Sequence, residues 1–128
     1  MQTTTTNGIR ISVRSFFNKE YSDPVNNKFV HVYEILIENL TEAPVQVLAR
    51  HWRIFDAYGV KREVIGEGII GKQPVIEPGD YHSYSSWSPV NTEIGRMDGR
   101  YQMLNLHTDE KFYVSIPCFD LIFPFVLN

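Results

Sequence analysis

Residues 29–57 read FVHVYEILIENLTEAPVQVLARHWRIFDA. Within 29–40, the apolar residues at 33, 35 and 37 alternate with glutamates at 34 and 38, which is the period of a strand with one buried face. Pro44 then predicts a turn, because proline cannot donate to a central ladder, and alternation resumes over 45–57. The stretch therefore predicts two long strands, with Trp52 buried in the second as in immunoglobulin-like folds.

The alternation also assigns side chains to strand faces. In the first strand, one face is predicted to carry Tyr33, Ile35 and Ile37. In the second, even positions share a face, which places Leu48 with Trp52 and leaves His51 on the opposite side. These faces predict the residues that would lie between two sheets.

Shorter strands are predicted around this pair, at residues 9–13, 61–65, 81–87, 100–106 and 111–116. Turn-forming residues separate them at 18–28, Val75–Gly79, Met97–Gly99 and 108–110. No stretch of ten or more residues shows capped helical periodicity. The pattern predicts an all-β, immunoglobulin-like or fibronectin type III-like β-sandwich of about seven to eight strands. Tyr101 is expected to bond its hydroxyl to backbone at a sheet corner.

Length and composition predict one domain over residues 1–128, with an ordered core of about 9–119 and an apolar tail at 120–128. The formal net charge of -3 argues against nucleic-acid binding. Neither a signal segment nor a run long enough to span a bilayer is recognised, so no membrane insertion is expected. The single cysteine, Cys118, excludes an intrachain disulfide, fits a cytoplasmic location and is predicted to be a small buried hydrophobe.

Gly66-x-Gly68-x-x-Gly71 has the spacing of a dinucleotide-binding fingerprint, followed by Lys72. That fingerprint requires a helix after the third glycine, and two prolines in the next eight residues prevent one. Two interpretations stay open. The glycines permit a loop with positive φ, or the loop amides and Lys72 form an anion-binding nest for pyrophosphate or a nucleotide.

Residues that could carry catalysis or bind metal are scattered. The histidines at 31, 51, 82 and 107 have no local ligand spacing, and His51 is interpreted as a structural residue with satisfied hydrogen bonds. The serines at 83, 85, 86 and 88 lie outside any nucleophile elbow and are interpreted as a solvated strand face. No catalytic residue, metal site or cofactor is predicted.

Surface chemistry favours protein binding. A sandwich has edge strands that can accept a partner strand, and Tyr81, Tyr84 and Trp87 exceed what a small core can hold. The tail at 120–128 must pack on its own core, swap onto a second copy or meet a partner. A protein partner of unknown identity and a homodimer are thus both expected.

Several segments together resemble the ApaG family over residues 9–119: Glu38-Asn-Leu40, Arg50-His-Trp52, Gly66-Glu-Gly-Ile-Ile-Gly71-Lys-Gln-Pro-Val75, Glu77-Pro-Gly79 and Gly99-Arg-Tyr-Gln-Met103. The chain departs from the family pattern at Ser86-Trp87, where members often carry Gly-Cys, and at Pro117-Cys118-Phe119, where they often carry Pro-Pro-Phe. These departures argue against a role for a family cysteine here.

The resemblance implies a fibronectin-like sandwich without established catalytic residues. It implies a stand-alone bacterial domain associated with cobalt resistance and magnesium efflux, and related domains fused to F-box and polymerase-interacting proteins resemble protein-binding modules. The predicted function is a non-catalytic protein-interaction module in divalent cation homeostasis. The alternative is a small-ligand binder or weak phosphohydrolase that uses the loop from Gly66 to Lys72.

Overall fold

The computed structural model describes residues 1–127, and the side chains of residues 1–125. Within this part of the chain, nine strands form: β1 (Gln2–Thr6), β2 (Ile9–Phe17), β3 (Phe29–Asn39), β4 (Val45–Phe55), β5 (Lys61–Glu67), β6 (Val75–Ile76), β7 (Tyr81–Val90), β8 (Ile94–Asn105) and β9 (Lys111–Ile122). Short 3-10 helices span Pro24–Asn26 and Pro124–Leu127. None of the described helices has the length and hydropathy that crossing a lipid bilayer requires.

The described strands pair into two antiparallel sheets that face each other as a sandwich. The first sheet has the order β1-β2-β3-β7, and the second has the order β5-β4-β8-β9, with β6 also paired to β4. The predicted fold class is confirmed. The strand count exceeds the expected seven to eight because Gln2–Thr6 pairs with β2 and Val75–Ile76 pairs with β4.

The core lies between the sheets and follows the predicted alternation over most of its length. Tyr33, Ile35 and Ile37 of β3 are all buried, and Trp52 of β4 is 2% exposed. The Trp52 ring packs 5.2 Å from the ring of Tyr33 across the sandwich, centroid to centroid. Large aromatic side chains from both sheets therefore fill the centre, where burial stabilises most.

A bulge in β4 changes the predicted face. The pairing of β4 with β8 shifts register between Val47 and Ala49, so Leu48 has no partner there. The buried residue before the bulge is the odd-numbered Val47, and after it the even-numbered Trp52. The prediction that Leu48 shares the inward face with Trp52 is therefore wrong, because an extra residue reverses the parity of a strand.

The predicted turn at Met97–Gly99 is also wrong. These residues lie inside β8, at a second register shift between Met97 and Gly99 in the pairing with β9. A Cβ at Gly99 would collide with the carbonyl oxygen of His51. The glycine permits a close approach of two backbones rather than a reversal of the chain.

β9 runs through Pro117 and ends at Ile122, so the tail begins as a strand of the core. Leu121 is fully buried, and the Phe123 ring lies 5.0 Å from that of Phe17 and 5.1 Å from that of Phe29, centroid to centroid. Up to Phe123 the tail packs on its own sandwich, whereas the part of the prediction that concerns residues 126–128 lies outside the described side chains. Cys118 is exposed, contrary to the prediction of a buried thiol, because it alternates with the buried Phe119.

Candidate functional site

The two lateral sides of the sandwich differ. On one side, β9 approaches β1 and β2, where Asn7 Nδ2 donates to the Tyr113 carbonyl at 3.1 Å and Ser15 Oγ donates to the Asp120 carbonyl at 2.9 Å. On the other side, the edge strands β5 and β7 leave a cavity of about 230 Å³ between the sheets, which we call the β5–β7 cleft. Its walls come from β4, β5 and β7, and Trp52 lies at its base.

Arg50 enters this cleft because it lies two residues before the inward Trp52 on β4. Its Nη1 donates to the carbonyls of Glu67 at 2.8 Å and Gly68 at 3.1 Å, and the side chain is half-buried. Gly66 is paired opposite Arg50, and a Cβ there would lie 2.9 Å from Arg50 Nη2. The absence of a side chain at Gly66 therefore makes room for the guanidinium.

Arg62 occupies the second wall. It pairs with Ile54 on β4, and its Nη2 donates to Ser88 Oγ at 3.2 Å and to the Pro89 carbonyl at 2.9 Å. The side chain thus bridges β5 to β7 across the open side of the sandwich. Among residues 1–125, no carboxylate oxygen lies within ion-pair distance of Arg50 or Arg62. The cleft consequently contains two guanidinium groups whose charge no neighbouring carboxylate balances.

β7 contributes hydroxyl groups to the cleft. Tyr84, Ser86 and Ser88 alternate on its inward face, and Ser88 is buried. The prediction of a solvated serine face holds for the exposed Ser83 and Ser85 but is wrong for the other two serines, because β7 turns its even positions toward the second sheet.

Tyr101 does not bond to backbone at a sheet corner, as was predicted. It is fully buried, and its hydroxyl bonds to the Tyr84 hydroxyl beside the cleft. Burial raises the pKa of both phenols, so both stay protonated at neutral pH. The pair links β8 to β7 by a buried polar contact.

The glycine-rich loop closes one end of the cleft as a tight hairpin. Ile69 N donates to the Lys72 carbonyl at 2.7 Å and Lys72 N donates back at 3.0 Å, with φ of +48° at Ile70 and +75° at Gly71. Positive φ at both central residues is the pattern of a type I′ turn. The next element after Gly71 is the short strand β6, in agreement with the rejection of a dinucleotide fold.

Backbone hydrogen bonds in this loop limit the predicted anion nest. The amides of Gly68, Ile69 and Lys72 already donate to carbonyls within the chain. Gly68 has φ of +57°, and a Cβ there would collide with the Lys72 carbonyl oxygen. The structure therefore brings Gly66, Gly68, Gly71 and Lys72 into one hairpin, but it commits three of the loop amides to the fold.

Sequence reasoning missed Arg50 and Arg62 as site residues. The period-two spacing of Arg50 before Trp52 could have indicated an inward cation. Arg62 could not be placed from sequence, because its position depends on pairing between β4 and β5.

Two large apolar side chains are exposed near the cleft, Trp87 on the outer face of β7 and Ile70 at the tip of the hairpin. Trp87 is 58% exposed on β7, and its ring meets the Tyr21 ring edge-on at 5.3 Å. Ile70, at the tip of the hairpin, is 60% exposed. A β-branched residue in the left-handed region is strained, and such strain is concentrated at functional sites.

The four histidines lie apart. His31 is buried in the first sheet with no hydrogen-bond partner for Nε2, and desolvation lowers its pKa to about 4. His51 Nε2 lies 3.1 Å from Glu63 Oε2, in agreement with a structural role. Among the described residues, no group of three or more histidine, cysteine or carboxylate side chains could hold a metal ion.

The chain is similar to known proteins over nearly its whole length. The ApaG domain family matches residues 19–105. Protein ApaG of Brucella abortus (strain S19) is 41% identical over 124 residues, covering 97% of this chain and 95% of that protein. Protein ApaG of Anaeromyxobacter dehalogenans (strain 2CP-C) is 40% identical over 128 residues, covering all of both chains. A crystal structure of the putative ApaA protein from Bordetella pertussis is 36% identical with a TM-score of 0.87, covering 91% of this chain and 94% of that one.

Proposed function

Because the chain belongs to the ApaG domain family, we propose that it is a non-catalytic protein-interaction module. Its partner would dock along the outer edge of β7 and over the mouth of the β5–β7 cleft. The occupant would be an extended segment of another protein, which adds to β7 as a further strand.

The supporting observation is the character of β7 itself. Within the described sheets it pairs only with β3, so its other edge presents backbone donors and acceptors to a partner. Trp87 is exposed on the outer face of this edge strand, and Ile70 is exposed at the tip of the hairpin that closes the cleft. An unpaired edge supplies hydrogen bonds, and large exposed apolar side chains supply burial, which together are the features of strand addition.

Hydroxyl chemistry in the cleft supports binding rather than catalysis. Ser88 Oγ accepts a hydrogen bond from Arg62. A nucleophilic serine also needs a base such as histidine to accept its proton, and no histidine is hydrogen-bonded to Ser88 among the described residues. We therefore place Ser88 among the groups that orient Arg62.

The cation association that the family resemblance implies is proposed to act through the partner. The histidines are held separately, with His31 in the core and His51 paired to Glu63. Titration calorimetry with Co²⁺ and Mg²⁺ tests this directly, and saturable heats with the isolated protein would contradict it. The cytoplasm is the proposed location, where the exposed thiol of Cys118 would stay reduced.

The competing hypothesis is pyrophosphate or nucleotide binding, or weak phosphohydrolysis, at the loop from Gly66 to Lys72. It has less support because three loop amides are engaged in backbone hydrogen bonds. Calorimetric titration of pyrophosphate into the wild-type protein and into Lys72→Ala tests it. A saturable heat that the substitution abolishes would favour this hypothesis over protein docking.

Affinity capture from cell lysate tests the interaction proposal. The bait carrying Trp87→Ser and Ile70→Asn should lose the proteins that the wild-type bait retains, because both changes remove apolar area at the docking edge. Tyr113→Ser is the control, since Tyr113 is 50% exposed on β9, on the other lateral side. Equal capture by all three baits would contradict docking at β7.

A further inference from the structure

We propose that the β5–β7 cleft receives the side-chain carboxylate of an aspartate or glutamate from the docked segment, bound by Arg50 and Arg62. This inference rests on the proposed function and adds the chemistry by which the partner is chosen.

The positive charge of the cleft is complementary to a carboxylate. Arg50 is half-buried between the sheets, where a cation is stabilised by a matching anion. Arg62 enters the same cleft from β5. The carboxylates nearest the two arginines are on β5: Glu63 pairs with His51 and Lys61, and Glu67 contacts Arg50 through its carbonyl and not in an ion pair. The described residues thus leave the counter-charge of the cleft to be supplied by another molecule.

Both guanidinium groups retain donors for such an anion. An arginine side chain has five N–H donors. Arg50 uses Nη1 on the carbonyls of the glycine loop, and Arg62 uses Nη2 on Ser88 and Pro89. These bonds fix the planes of the two guanidinium groups and leave other N–H donors of each group for a ligand. Such fixed groups form a preorganised binding site.

The β5–β7 cleft has room for a side-chain carboxylate. Gly66 lets the Arg50 guanidinium lie against the β5 backbone, because any larger residue would displace it. The cavity of about 230 Å³ lies against the inward face of β7, which carries Tyr84, Ser86 and Ser88. A side chain that projects from a strand added to β7 would therefore enter between the two arginines.

The local backbone favours a carboxylate over a phosphate. Phosphate sites are typically formed by several free backbone amides at a nest or a helix N-terminus. Here Gly68, Ile69 and Lys72 have donated their amides to carbonyls. The positive charge of the cleft therefore comes from two arginine side chains, and each planar guanidinium can bind both oxygens of a carboxylate.

Nuclear magnetic resonance of the ¹⁵N-labelled protein tests the proposal with three probes at constant ionic strength. They are N-acetyl-glutamate methylamide, its glutamine twin and inorganic phosphate. The glutamate probe should produce saturable shifts at the Nε–H groups of Arg50 and Arg62 and at the amide of Ser88. The glutamine probe should not.

Two substitutions make the result specific. Arg62→Gln should weaken binding of the glutamate probe about tenfold or more, as expected when a charge-assisted hydrogen bond is lost. Arg62 is exposed, so the fold should survive its replacement. Arg100→Gln is the matched control, because Arg100 lies over Tyr113 on the outer face and has no carboxylate within ion-pair distance among the described residues. It should bind the probe as the wild type does.

Three outcomes would overturn the inference: shifts that spread over all arginines without saturation, equal binding of the glutamine twin, or tighter binding of phosphate at the same residues. The docking proposal is judged separately by affinity capture. Capture that persists in Arg62→Gln but is lost in the Trp87 and Ile70 variant would retain docking at β7 and refute recognition of an acidic side chain.

Discussion

His31 is a single buried imidazole whose protonation opposes folding. Its pKa is about 4 in the folded chain, against 6.5 for an exposed histidine, because burial disfavours the charged form. The unfolded chain therefore binds a proton as the pH falls below about 6.5, whereas the folded chain stays neutral until about 4. Stability should fall by up to roughly 3 kcal/mol across this window and be fully present above it.

Urea unfolding at a series of pH values measures this effect. His31→Phe should flatten the loss between pH 6.5 and 4, leaving the smaller contribution of His82, whose pKa burial also lowers. His107→Gln, in an exposed turn, is the control for replacing a histidine at the surface. A pH dependence that is identical in wild type and His31→Phe would contradict the assignment.

Ile70 should be replaceable by a residue that makes the chain more stable. Its φ of +48° suits asparagine, which is preferred with a following glycine in a type I′ turn. Ile70→Asn should therefore raise the free energy of unfolding by about 1 kcal/mol. Ile70→Val keeps the branched Cβ and should give no gain. Chemical denaturation compares the three proteins, and a less stable asparagine variant would refute the claim of backbone strain.

Gain of stability at Ile70 would be informative about function as well. The proposed docking would explain why a strained residue stands at the mouth of the cleft, since its side chain would contact the partner. The same asparagine variant should then bind the partner less well than the wild type. In Ile70→Asn, the free energy of unfolding would increase while the affinity for the partner would decrease.

Strand alternation predicts most of the core, and the prediction fails where a β-bulge interrupts a strand. The period-two pattern correctly placed Tyr33, Ile35 and Trp52 in the interior. It failed at Leu48, where one extra residue reverses the faces of β4. It also gave no account of Gly99, because a glycine at a bulge and a glycine at a turn look alike in sequence.

Gly99 provides the test of the bulge in β8. Gly99→Ala should destabilise the protein by about 2–4 kcal/mol, because the new Cβ collides with the His51 carbonyl and backbone must shift. Gly59→Ala is the matched control, since a Cβ there meets nothing within 4 Å and only the positive φ opposes it. It should cost about 1 kcal/mol. Thermal and urea unfolding would contradict the account if the two variants were equally stable.

The end of the chain is part of the sandwich, which sequence could not decide. Its apolar composition allowed three arrangements: packing on its own core, swapping onto a second copy, or binding a partner. The contacts of Phe123 with Phe17 and Phe29 show that the chain packs on its own core up to Phe123. Phe123→Ala should cost about 2 kcal/mol, since the ring is half-buried. Phe125→Ala, at a position 64% exposed, should cost much less. Equal losses in urea unfolding would contradict this packing.

The molecule as a whole has two unlike lateral sides. On one side, side-chain hydrogen bonds from Asn7, in the turn between β1 and β2, and from Ser15 of β2 connect the first sheet to β9. On the other side, the edge of β7 lies open beside two arginines. Sequence identified the family resemblance, the exposed aromatics and the edge-strand chemistry. It did not identify the cleft, because the cleft exists only where β5 and β7 from different sheets meet.

Site-specific photocross-linking in cells tests this account most directly. A photoreactive phenylalanine analogue would replace Trp87 on β7 and, in a separate protein, Tyr113 on β9. We expect a discrete cross-linked protein from position 87, which is lost when Arg62→Gln is added, and none from position 113. Cross-links from position 113 alone, or equally from both positions, would contradict the assignment of function to the β5–β7 side.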